Sequence, residues 1–396
     1  MAELKSTDRV VVVGAGLAGA QCALALREGG WQGSLTLVGA EPWAPYDRPP
    51  LSKDVLLGKT DSTVYELDWQ RLGVELLTGR RATGLAPGLL QTDAGELAYD
   101  HLVLATGADP VRLPAASGER TLRTLADSLA LRAELRPGRH LVLVGAGWIG
   151  AETATAAREL GCAVTVLEAA DAPLPGALPA ELTAPMREWY RAAGVELRLG
   201  ARVATVEPGA VLLADGERVV ADEVLVGVGA RPATGWLAGS GVELDPAGTV
   251  LADQRLRTSL PGGWAAGDCV SYPSARFGER ISVQHWDHAL HSGRAVGAAL
   301  LGAQAPYDPV PYFWSEQFGR MVQYAGRHGG ADRLLWRGSP ADPAWSVLWL
   351  REGALVAVLA VDRPRDLAQG RRLIERAVVL DPDRAADPEV PLKSAL

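Results

Sequence analysis

Apolar positions along this chain fall into two nearly parallel stretches. In RVVVVGAGLAGAQCALALREGGWQGSLTLVGAE (9–41) a valine run ends at a glycine turn, and an Ala/Leu-rich stretch with helical spacing follows. A second apolar run then closes on an acidic residue. HLVLVGAGWIGAETATAARELGCAVTVLEAA (140–170) repeats that order, so each predicts strand, turn, helix, strand. Two later apolar strands end in glycine, YDHLVLATGADP (99–110) and ADEVLVGVGARP (221–232), and are expected to bring the chain back beneath each nucleotide site.

Between 242 and 310 the pattern gives an extended segment, then GGWAAGDC (262–269), then a helix from about Val283 to Leu301. From Pro311 onward short alternating runs replace the long units. AWSVLWLREGALVAVLAVDRP (344–364) predicts a hairpin turning at Arg351–Gly353, followed by one basic helix, RDLAQGRRLIER. The fold class expected is α/β, with two Rossmann-like dinucleotide-binding domains and a C-terminal α+β domain. Residues 1–115 and 242–310 would form the first nucleotide domain, 116–241 the second, inserted within it, and 311–396 the third.

Composition narrows the function. A net charge of −8 and a pI near 5.4 leave no excess of basic groups for neutralising phosphates, which argues against a nucleic-acid binder. The start, MAELKSTDRV, lacks the apolar core of a signal peptide, and no apolar run approaches the roughly 18 residues of a membrane span. A soluble cytoplasmic protein is expected. The three cysteines, Cys22, Cys162 and Cys269, form no C-x-x-C, so neither a zinc ribbon nor a dithiol redox centre can be written. No metal is expected; His285, His288 and His291, at spacing three, read as a helix flank.

The glycine turns carry the chemistry. In G-x-G-x-x-G the first glycine permits the turn, the second admits a diphosphate and the third lets helix and strand pack closely. These are Gly14, Gly16 and Gly19 in one copy and Gly145, Gly147 and Gly150 in the other, where Ile149 and, on the returning strand, Gly229 join the candidate NADH contacts. Glu168, ending AVTVLE, is placed for a ribose 2′-hydroxyl, and AADAPLPG after it offers no arginine for a 2′-phosphate, so NADH is favoured over NADPH. The first copy has Ala40 after its glycine and Glu41 one place later, so either Glu41 makes the ribose contact from a shifted position or that contact is missing. A flavin dinucleotide is its expected occupant, because a second NAD would not explain the downstream G-D, where Asp268 can accept from a ribityl hydroxyl.

With GAGLAG, PYDRPPLSK, LATGADP, LRTLADS, GAGWIGAE, AAGDC, VQHWDHA and PYFWSEQ in this order, the chain resembles a known family along essentially its whole length. It is similar to the FAD-dependent, NADH-using ferredoxin reductases of bacterial cytochrome P450 and Rieske dioxygenase systems, the group that includes putidaredoxin reductase and rubredoxin reductase. The resemblance implies that Gly14 to Gly19, with Ala18, face the FAD diphosphate. It also implies that Arg48, Lys53, Ala82 and Arg123 line the cofactor, that Asp268 holds its ribityl chain, and that Trp286 and Trp314 lie by the isoalloxazine. Lys53 would sit near flavin N5, paired with Glu152, as a buried lysine needs a counter-charge. Two departures stand out: Ala40 where the family usually has Asp, and Gln284 where it usually has Glu.

The implied activity is hydride transfer from NADH to FAD, then single electrons to a small acidic iron–sulfur ferredoxin. From Pro311 the chain carries 12 Lys+Arg against 11 Asp+Glu, and the remainder 27 against 36. Docking is therefore expected on the C-terminal domain, with Arg371, Arg372 and Arg376 as candidates, although a solvated helix face would look the same. A monomer or weak homodimer, without nucleic acid or membrane, completes the expectation. Alternatives stay open: a flavin-bearing interaction protein of the apoptosis-inducing-factor type, a rubredoxin reductase, and an NADH oxidase or peroxidase, whose redox cysteine would be needed near PYDRPPLSK, where none exists. That proline-rich stretch is expected to hold Arg48 and Pro49 extended before a helix starting near Ser52.

Overall fold

A computed structural model describes residues 4–114 and 116–396; residues 1–3 and Ala115, which ends the expected first segment, lie outside that description. Two compact units are present. The chain through Asp47 forms the first with Thr63–Asp109 and Arg231–Pro311, and Arg48–Ser62, Pro110–Ala230 and Tyr312–Leu396 form the second.

The first unit is built on a five-stranded parallel sheet, in the order Gly263–Ala265, His101–Leu104, Arg9–Val13, Ser34–Val38, Val74–Leu77. Val10 to Val13 are all buried, as a central parallel strand covered on both faces requires. Helix Leu17–Glu28 follows the glycine turn and packs on helix Trp286–Leu300. Their backbones meet where side chains are small: a Cβ on Gly293 would lie 2.2 Å from the Ala18 carbonyl oxygen, and one on Gly297 2.9 Å from that of Cys22. A three-stranded antiparallel sheet, Ala82–Ala86, Leu89–Thr92 and Gly95–Ala98, is appended.

The second unit repeats the design. Its parallel sheet runs Glu196–Leu199, Ala163–Glu168, His140–Val144, Glu223–Val226, matching strand for strand the order of the first sheet from Val74–Leu77 to His101–Leu104. It too carries a three-stranded antiparallel sheet, Val203–Glu207, Ala210–Leu213 and Arg218–Val220.

Within the same unit, Tyr312–Gln317, Arg320–Gly326, Ala354–Val361, Trp345–Arg351 and Arg333–Arg337 form, in that order, an antiparallel sheet. The hairpin turns on Glu352 and Gly353, both left-handed at φ 52° and 78°, as a two-residue turn of this hand requires. Helix Pro364–Glu375 covers Ala354–Val361, which explains why both faces of that strand are apolar. Arg337, 1% exposed, donates to both carboxylate oxygens of Asp366 at 3.2 and 3.3 Å, to the Asp387 and Val390 carbonyls at 2.9 Å, and to the Ala385 carbonyl. Asp366 also accepts from Ser346 at 2.8 Å and Arg363 at 2.7 Å, so one buried carboxylate pairs with two guanidiniums, and backbone carbonyls solvate the buried one. No helix among the described residues is long and apolar enough to cross a membrane.

The proline stretch departs from expectation. Pro49–Ser52 is a short 3-10 helix, which Lys53 ends, rather than the approach to an α-helix at Ser52. Arg48 is right-handed helical, at φ −87° and ψ −32°, despite preceding a proline. Its carbonyl accepts from Leu51 N–H at 2.9 Å, and its guanidinium donates to the Arg123 carbonyl at 2.6 Å. Those two bonds offset the local steric preference.

Candidate active site

In the first unit the three glycines of the turn have three distinct surroundings. Gly14 takes φ 113°, and a Cβ there would fall 2.0 Å from the Ala105 carbonyl oxygen of the neighbouring strand. A Cβ on Gly19 would meet the Gly14 carbonyl oxygen at 2.0 Å, so helix and turn touch through backbone alone. Above Gly16 there is nothing within 4 Å, and no side chain caps the helix that Gly16 opens. That open face beside unpaired helical N–H groups is what a diphosphate needs.

The second turn reproduces this. Gly145 takes φ 104°, with a virtual Cβ 2.5 Å from the Gly227 carbonyl oxygen; Gly150 abuts the Gly145 carbonyl at 2.3 Å; Gly147 again caps its helix with no side-chain bond. Ile149, in the first turn of the helix, is 40% exposed although large and apolar. Glu168 is buried at the strand end, where Oε2 accepts from Ala146 N–H and Oε1 from Ala170 N–H, each at 2.9 Å. It thus braces the glycine turn and keeps lone pairs for a ribose hydroxyl. Gly229 lies on the exposed stretch after the returning strand and takes φ 120°.

Glu41 is placed differently. Its sheet strand ends at Val38, so Glu41 stands three residues beyond it, half-buried, with Oε2 accepting from Tyr46 hydroxyl at 2.7 Å. Next to Tyr46, Asp47 Oδ1 accepts from Trp286 Nε1 at 2.6 Å, which fixes the indole at the start of its helix. Asp268 sits in the 3-10 turn Gly267–Cys269, whose first N–H is held by Ser292 Oγ at 2.9 Å. Ala18 touches that turn, since a Cβ on Gly267 would lie 2.9 Å from its methyl. Ala82 opens the appended three-stranded sheet. The glycine turn, Asp268 and Trp286 are thereby organised by one helix pair.

In the second unit Lys53 Nζ donates to Glu152 Oε2 at 2.6 Å and to the Pro49 carbonyl at 3.2 Å. Glu152 is 5% exposed and receives two further bonds, from Ser52 Oγ at 2.5 Å on Oε2 and from Ser315 Oγ at 2.7 Å on Oε1. Arg48 and Arg123 meet as described above, and Arg123 N–H is held by Asp127, whose side chain and that of Thr124 cap helix Leu125–Glu134. Trp314, half-buried, stacks on Tyr312 with centroids 6.0 Å apart. Ser52, Ser315, Tyr46 and Asp47 escaped the sequence reading, although all lie in or beside PYDRPPLSK and PYFWSEQ.

The three histidines do not share a helix face. His285 is the residue before the helix, His288 is buried between the Tyr307 hydroxyl at 2.9 Å and the Gly267 carbonyl at 3.2 Å, and His291 lies 3.5 Å from Asp287. Burial holds both His285 and His288 far below the usual histidine range, at about 4. Gln284 is exposed. All three cysteines are free and buried; burial pushes the Cys22 thiol up to about 12 and raises those of Cys162 and Cys269, so none is a ready thiolate.

Two nucleotide folds in series, with matching open glycine turns and no reactive thiol, define an oxidoreductase that works through two dinucleotides. The chain belongs to the pyridine nucleotide-disulphide oxidoreductase family, which matches residues 8–293, and residues 312–396 match the reductase C-terminal family. FAD is characteristic of the former. A 5,5'-dehydrodivanillate O-demethylase ferredoxin reductase subunit from Sphingobium sp. is 37% identical over 97% of each chain. Among solved structures, Fdr9 is 45% identical, with a TM-score of 0.92 over 98% of this chain and 99% of that one. The covalent putidaredoxin reductase–putidaredoxin complex is 33% identical, with a TM-score of 0.94 over 98% of each chain.

Proposed function

We propose that the chain is a FAD-dependent NADH:ferredoxin reductase serving a cytochrome P450 or a Rieske dioxygenase through a [2Fe-2S]-type ferredoxin. The observation that carries this is the pair of matched glycine turns, in which a Cβ on Gly16 would meet nothing within 4 Å and one on Gly147 only the Gly227 carbonyl oxygen at 3.8 Å, in a chain whose cysteines are all buried. The names of its relatives point the same way. FAD, when bound, accepts hydride from NADH and releases electrons singly.

The protein's part is to bind, orient and compensate charge. Residues 1–115 and 242–310 would hold FAD, 116–241 NADH, and 311–396 would face the partner. Gly14, Gly16, Ala18 and Gly19 take the FAD diphosphate, Glu41 the adenosine ribose and Asp268 the ribityl chain; Arg48, Ala82, Arg123, Trp286 and Trp314 complete the lining. Gly145, Gly147, Ile149, Gly150, Glu168 and Gly229 take NADH. Lys53 presents a positive group to the flavin, and Glu152 compensates it where water does not.

An acidic ferredoxin would dock beside helix Pro364–Glu375, where Arg372 and Arg376 are exposed and the Arg371 guanidinium lies 5.3 Å from the centre of the Tyr312 ring. Tyr312, Leu367, Ala368, Arg371, Arg372 and Glu375 line a shallow groove there. The enzyme is read as cytoplasmic and as a monomer or weak homodimer, with neither membrane nor nucleic acid as partner.

The test is to purify the protein, measure bound FAD, and follow cytochrome c reduction with NADH or NADPH, with and without candidate ferredoxins. Bound FAD, NADH preference and ferredoxin-stimulated turnover are expected. Absence of flavin would overturn the reading, and NADPH preference would overturn the role of Glu168.

A further inference from the structure

The carboxylate of Glu152 has more donors than an ion pair needs. Lys53 and Ser52 converge on Oε2, while Oε1 is held by a residue from a different part of the unit, Ser315 on strand Tyr312–Gln317. Ser315 is fully buried. Three contacts set that strand along helix Trp148–Glu159: the rings of Phe313 and Trp148 meet edge-on at 4.8 Å, Ser315 reaches Glu152, and Phe318 N–H donates to Thr155 Oγ1 at 2.9 Å. Of these, only the middle one touches a charged group. The outer two hold the register without it.

We infer that Ser315 is a positioning residue for the Lys53–Glu152 pair, anchoring Oε1 so that Oε2 stays turned toward Lys53. This rests on the proposed role of Lys53 as the cation facing the flavin. A buried carboxylate bonded through one oxygen only can rotate about its terminal torsion, which is broad, and would no longer hold the ammonium in one place. Alternation along the strand sends Ser315 and Trp314 to opposite faces, so one strand contributes to both the ion pair and the aromatic lining.

The test is a double-mutant cycle on the holoenzyme. A hydrogen bond to a charged group carries enough free energy that Ser315→Ala should slow single-turnover flavin reduction by NADH about tenfold. The bound flavin's midpoint potential should also move to more negative values. Ser315→Thr, which keeps the hydroxyl, should recover most of the rate and the potential. In a Lys53→Met background, Ser315→Ala should add less than about a twofold further loss, because residues acting as a unit are not additive. If Ser315→Ala folds poorly or sheds FAD, Ser315→Cys, a weaker donor of similar size, should give an intermediate slowing.

A Ser315→Ala or Ser315→Cys enzyme with wild-type rate and potential, beside an impaired Lys53→Met, would overturn this inference alone. So would an undiminished tenfold loss in the Lys53→Met background. Normal reduction of Lys53→Met would overturn the role of Lys53 itself, and this inference with it.

Discussion

Lys53 and Glu152 stand 99 positions apart in sequence and meet at 2.6 Å, the glutamate buried and the lysine side chain 18% exposed. Removing the lysine leaves a buried carboxylate with two hydroxyl donors and no counter-charge. Lys53→Met is therefore expected to reduce its flavin at least about tenfold more slowly, or to lose part of its FAD. Stopped-flow absorbance at the flavin band and the flavin-to-protein absorbance ratio measure the two effects.

Gly16 and Gly19 separate binding from folding. A methyl on Gly16 enters open space, whereas one on Gly19 collides with the Gly14 carbonyl oxygen. Gly16→Ala should melt like the wild type as apoprotein yet retain much less FAD; Gly19→Ala should be strongly destabilised even without cofactor. Thermal unfolding of both apoproteins, paired with FAD titration, decides it.

Glu168 has a dual task, since the oxygens offered to a ribose also cap two backbone N–H groups. Glu168→Arg should raise the KM for NADH tenfold or more. It should also lower the melting temperature, because two N–H groups lose their acceptor at about 1–3 kcal/mol each where they stay dry. Steady-state kinetics and calorimetry on the same preparation test both.

His288 gives a pH signature. The Gly267 carbonyl can only accept, so Nε2 carries the proton and Nδ1 accepts from the Tyr307 hydroxyl. Burial holds this imidazole at about 4 in the fold, against about 6.5 when unfolded. The unfolded chain then binds more protons between those values, so this contribution is complete above pH 6.5 and is lost as pH falls toward 4, on the order of 3 kcal/mol in all. His288→Gln should flatten the fall in melting temperature between pH 7 and 5; an unchanged slope would refute the assignment.

Arg371, Arg372 and Arg376 test docking. Reversing all three to Glu should raise the KM for an acidic ferredoxin several-fold and weaken its salt dependence, while NADH-driven flavin reduction is unaffected. Turnover that keeps both KM and salt dependence would show that this is only a solvated helix face.

How much of this was legible depended on whether a residue's role is local. Gly14, Gly16 and Gly19 act through backbone within one turn, so their spacing announces them. Glu168 ends a strand and could be counted to. Glu41 could not, because a loop rather than a strand carries it. The repeat was visible as strand, turn, helix and strand, with a returning strand in each copy; that the third strand and the appended sheet also match has no counterpart in sequence pattern, since sheet order is fixed by pairing rather than by composition. Arg48 defied its proline because two hydrogen bonds outweighed a steric bias. Ser52 and Ser315 are small hydroxyls, and only the fold shows them aimed at one carboxylate.

Arg337 bears on how such an enzyme could be engineered. Its guanidinium is coordinated by carbonyls of residues 385, 387 and 390, so that stretch of backbone functions as the arginine's solvent. Trimming it would leave that buried cation short of three acceptors, with Asp366 its remaining partner. A reductase tethered covalently to its electron carrier should therefore have the linker attached after this stretch, leaving it intact.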